Sequence, residues 1–65
     1  MTQVKVLHAS TIDSRLHGKI GELIQRMPQG NGNEFITLKV EDRELLLINL
    51  EHSKEFEIIN EGEAN

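Results

Sequence analysis

Apolar residues recur along this chain with two different periods. In "QVKVLH" Val4 and Val6 alternate with Gln3 and Lys5, the period of two that marks a half-buried strand, so a first strand is expected over residues 3–8. From residue 12 the rhythm changes. On a helical wheel Ile12, Leu16, Ile20, Leu23, Ile24 and Met27 fall within an arc of roughly 120°. No other residue from 12 to 27 is strongly apolar. The spacing therefore predicts an amphipathic helix over this stretch. Ser10 suits an N-cap, Asp13 suits the positive end of the dipole, and Pro28 stops the helix. Gly18 and Gly21 each cost about 1 kcal/mol in a helix interior. Burial of six apolar side chains at about 1.5–3 kcal/mol each outweighs that.

After the flexible connection "PQGNGN", alternation by two returns. "EFITLKV" places Ile36, Leu38 and Val40 against Thr37 and Lys39, and predicts a strand over residues 34–40. Glu41-Asp42 makes a tight connection. "RELLLINL" follows as a strand apolar on both faces, with Leu45 and Leu47 on one side and Leu46, Ile48 and Leu50 on the other. A polar turn leads to "FEII", with Phe56 and Ile58 sharing a face. The sequence thus predicts an α+β fold: one helix packed on a small, mostly antiparallel sheet in the order β-α-β-β-β. Residues 1–59 form one domain, and 60–65, "NEGEAN", are expected to be a disordered acidic tail.

The competing reading is an all-β barrel in which residues 16–27 are strand. The stretch "HGKIGELI" resembles the glycine-marked strand of small SH3-like barrels, including the KOW modules of transcription and ribosomal proteins. The resemblance covers eight residues and implies an all-β barrel and a nucleic-acid-binding regulatory role. The chain departs from that pattern in lacking a basic balance.

A single helix covers one face of a sheet, yet the strand at residues 43–50 is apolar on both. Exposed apolar surface of that kind marks an interface. Leu45, Leu46, Leu47, Ile48 and Leu50 are therefore the expected oligomer interface, and a symmetric dimer is the commonest closed solution.

Size and charge narrow the chemistry. At 65 residues the chain buries only about 60% of its unfolded surface, and with no cysteine it has no disulfide to compensate. Residues 1–28 carry four basic and two acidic groups, net +2; residues 29–65 carry three and nine, net −6. Arg15, Lys19 and Arg26, with Gly18 beside them, lie on the polar face of the predicted helix as a docking stripe for an acidic protein or, as the alternative, for nucleic-acid phosphates. Nucleic acid is disfavoured, because phosphate contact needs clustered cations. Two phenylalanines are the only aromatics, too few for base stacking. His8, His17 and His52 lack metal-ligand spacing, and Ser14, His17 and Asp13 form a triad only on paper. No cofactor, metal or catalytic residue is expected. No apolar run approaches a membrane span, and no signal peptide is read, so the expected compartment is the cytoplasm. The function these features predict is that of a small, non-enzymatic regulatory or adaptor protein, acting on a protein partner as a homodimer.

Overall fold

The computed structural model describes residues 1–61. It contains six strands and one short 3-10 turn, and no helix packed on the sheet. The strands are β1 (Gln3–Val6), β2 (Ile20–Gly30), β3 (Asn33–Val40), β4 (Arg43–Leu50), β5 (Ser53–Lys54) and β6 (Phe56–Asn60); the turn is Ser14–Leu16. They form one antiparallel sheet in the order β5-β4-β3-β2-β1-β6 that curls into a nearly closed barrel.

The α+β expectation, in the order β-α-β-β-β, is overturned, and the all-β class replaces it. Residues 12–27 divide between a loop carrying the 3-10 turn and the first part of β2. Three features hid the strand. Gly18 sits at φ 83°, a conformation a helix cannot contain. Gly21 pairs with Val4 and lies hard against the backbone of Lys39 and the Val40 side chain, 2.6 Å from where a Cβ would stand. An interior-facing glycine reads as a gap in the apolar pattern. Finally, Ile24 is an extra residue between Leu23, opposite Leu38, and Gln25, opposite Thr37. That bulge breaks the period of two, and the broken pattern matched a helical wheel by coincidence. Pro28 is tolerated because β2 beyond Leu23 pairs with β3 alone, and an edge position needs no second hydrogen bond. Asp13 does cap a helical element, but it is the 3-10 turn: its carboxylate accepts from the Arg15 backbone N–H.

Inside the barrel lie Val4 and Val6 of β1, Ile36, Leu38 and Val40 of β3, Leu47 of β4, Phe56 of β6 and Leu16 of the loop, all buried. Ile12, Leu23, Leu45 and Ile58 pack around them. The loop at residues 7–19 supplies Leu16 and Ile12 to this core and so plugs the barrel. Two residues at positive φ, Glu41 and Asp42, turn β3 into β4.

The barrel closes between β4 and β6, and there side chains replace a backbone ladder. Asn49 Oδ1 accepts from the N–H groups of Glu55 (2.8 Å) and Phe56 (3.2 Å), while its Nδ2 donates to the Phe56 carbonyl (3.1 Å). The Glu55 carboxylate, only 8% exposed, accepts from Ile48 N–H (2.9 Å) and from the Thr11 hydroxyl (2.7 Å). One backbone bond, Glu55 N–H to Ile48 O, completes the join. No described buried side-chain polar atom lacks a partner.

Of the expected tail at residues 60–65, the first two residues are described. Asn60 belongs to β6, and the Glu61 carbonyl accepts from the Thr2 hydroxyl. Residues 62–65 lie outside the described residues.

Candidate functional site

Two surface features stand out. The first is the outer face of β2, β3 and β4. The register aligns Met27, Phe35 and Ile48 in one row across the three strands, and sets Gln25, Thr37 and Leu46 in the adjacent row. Because Ile36 and Leu47 point inward, this row points outward. Leu46 is 61% exposed, Leu50 39%, and Ile24, at the bulge, 49%. The five residues expected at an oligomer interface therefore split. Leu47 is buried in the core and Leu45 packs against it, whereas Leu46, Ile48 and Leu50 face outward. Met27 and Phe35 join them, brought together by β2–β3 pairing. The helical reading concealed that grouping by placing Met27 on a buried stripe.

The second feature is a charged cleft of about 290 Å³ at one end of the barrel, lined by Asp13, Arg15, Leu16, Lys19, Glu41 and Arg43. Arg15 embraces Asp13 through Nε (3.2 Å) and Nη2 (2.8 Å). These side-chain hydrogen bonds, then the one from the Arg15 backbone, hold the Asp13 carboxyl down at about 2. The same contact raises the Arg15 guanidinium above its ordinary value. Lys19 Nζ lies 2.9 Å from Glu41, and Arg43 Nη1 lies 4.0 Å from Asp13.

The predicted docking stripe of Arg15, Gly18, Lys19 and Arg26 thus holds only in part as a grouping. Arg15 and Lys19 meet at the cleft, with Gly18 in the bend between them. Arg26 is on β2, where it donates to Glu34 and approaches Glu61 at 3.9 Å. Arg43 takes its place. Nothing local in the sequence marks Arg43, because its approach to Asp13 depends on how β4 packs against the loop.

The histidines are spread among different surroundings. His17 Nε2 lies 3.1 Å from the carbonyls of Ala9 and Ile12, so it faces main chain and not Asp13. Its ring stands 4.5 Å from that of His8. Glu55 is committed to the barrel join and does not pair with His52. Among the described residues no group of three or more His, Cys, Asp or Glu is placed to hold a metal, and no helix is long and apolar enough to cross a membrane. No family model, curated protein or solved structure matches this chain.

Proposed function

We propose that this chain is a non-enzymatic protein-interaction module that pairs with a second copy of itself through the outer face of β2, β3 and β4. The observation that carries this reading is the row Met27–Phe35–Ile48, with Leu46 and Leu50 beside it, on the solvent side of a sheet whose inner side already holds the core. Strands about 4.8 Å apart and about 20 Å long offer a few hundred Å² of such face. The largest apolar patch on a small chain is often a functional surface.

The face complements itself. A two-fold axis along the row sets Phe35 against its own counterpart and Leu46 over Leu50 of the partner subunit. The apolar centre falls short of the roughly 800 Å² per partner of a standard interface, so the polar rim of Gln25, Thr37, Lys39 and Glu44 supplies the rest. Association of this kind is weak and reversible. The cations favour nucleic acid less, because Arg15, Lys19 and Arg26 each have a carboxylate beside them.

Sedimentation equilibrium from about 5 to about 500 μM tests the reading. The mass is expected to move from one chain toward two across that range. Leu46→Lys, at an exposed position, leaves the circular dichroism unchanged and holds the mass at one chain. A single-chain mass throughout for the natural sequence, or a Leu46→Lys variant that still pairs, overturns it.

A further inference from the structure

The geometry points to the cleft between the loop at residues 7–19 and the β3–β4 turn as a binding site for a carboxylate carried by an acidic peptide segment. Three of the seven lysines and arginines of a chain with net charge −4 converge on this one place. Two carboxylates, Asp13 and Glu41, accompany them, which leaves the cleft at +1.

The charges are not equivalent. Asp13 is already bonded by Arg15 through two nitrogens, and serves to hold that guanidinium in place. Arg43 is different. At 4.0 Å its Nη1 is beyond hydrogen-bond reach of Asp13, so its planar fork of donors is open above the cleft. Lys19 pairs with Glu41, and both side chains are exposed. A pair of that kind is weak and yields its cation readily to a second acceptor. Leu16, otherwise buried in the core, also lines the cleft.

Charge and size choose the ligand. One carboxylate neutralises a net charge of +1. A phosphate group, at about −1.5 to −2, overshoots it. A volume of about 290 Å³ lies at the lower limit of small-molecule pockets and fits a side chain with its adjoining backbone. The apolar face takes no part, so failure of self-association leaves this site standing.

The test is a titration of the full ¹⁵N-labelled chain at constant ionic strength, followed by amide chemical shifts. The probe is the blocked tripeptide acetyl-Ala-Glu-Ala-amide. Saturable shifts are expected at Arg15, Leu16, Lys19 and Arg43, and none at Phe35 or Ile48. Replacing Glu by Gln in the probe, or Arg43→Gln in the protein, weakens binding by up to about fivefold, the effect of losing one solvent-exposed charge contact. Lys54→Gln, away from the cleft, leaves it unchanged. Arg43 is exposed, so retained spectral dispersion shows that its variant is folded. The proposal is overturned by any of three results: no saturable shift at the cleft, an equal response to the Gln probe or in Arg43→Gln, or tighter binding of inorganic phosphate than of the Glu probe.

Discussion

The β3–β4 join and the β4–β6 join belong to the same sheet and are made differently. Between β3 and β4, seven consecutive residue pairs from Glu34↔Asn49 to Val40↔Arg43 run without a break. Between β4 and β6, Asn49 and Glu55 do the work of a strand, offering side-chain amide and carboxylate groups where a ladder offers peptide groups. A ladder spreads its hydrogen bonds over many residues, each weakly specified. The side-chain join concentrates them in two. Single substitutions should therefore be mild along most of the ladder and severe at the join.

Gly21→Ala attacks the laddered part of the sheet on β2, where Gly21 pairs with Val4 of β1 and crowds β3. The added Cβ meets the Lys39 carbonyl, which is backbone and held by the sheet, and Val40 Cγ2. A cost of about 3 kcal/mol or more is expected, a large share of the roughly 3–10 kcal/mol available to 65 residues. Urea unfolding should show the midpoint lost or sharply lowered; an unchanged midpoint would mean that β2 does not approach β3 this closely.

Asn49→Ala attacks the other join. It leaves the buried Phe56 backbone N–H and C=O without partners, at about 2–4 kcal/mol. Glu55 separates shape from charge. Glu55→Ala removes both acceptor contacts and should cost about 2 kcal/mol. Glu55→Gln should cost under about 1 kcal/mol, because its amide oxygen accepts from Ile48 while its NH2 donates to the Thr11 hydroxyl. Equal losses for the two would mean that the negative charge matters, and not the hydrogen-bond geometry.

The smallest effect is at the loop. Asp13 is held at about 2, below its unfolded value of about 3.9. A depressed carboxyl stabilises the fold above the unfolded value, and the contribution is lost as pH falls through the folded one. Denaturation midpoints of the natural chain should thus decline more steeply between about pH 4 and pH 2 than those of Asp13→Asn. Parallel profiles would show that the Arg15 contact does not persist in solution.

The contrast between the joins also explains what could be read in advance. Val4 and Val6, Ile36 to Val40, and Phe56 with Ile58 alternate cleanly, and those strands stand where the pattern puts them. The division of "RELLLINL" into inner Leu45 and Leu47 and outer Leu46, Ile48 and Leu50 was legible for the same reason. β2 was not, because a bulge and an inward glycine leave no period to detect. At the cleft, Arg15 and Lys19 are neighbours in the chain, but Arg43 arrives through tertiary packing. The barrel join did leave one trace: Asn49 stands inside an apolar run, and a buried amide must find partners.

A sheet curled round and fastened at one spot is a strip with a latch. Its easiest excursion is to unlatch, so the amide hydrogens of Ile48 and Phe56 should exchange with solvent sooner than those of Ile36 and Leu38. Once open, β6, still laddered to β1, can latch onto β4 of a neighbour in place of its own, and the two then share latches. Concentrated solutions held near the unfolding temperature should accumulate such swapped pairs, which outlast dilution where the face-to-face dimer does not.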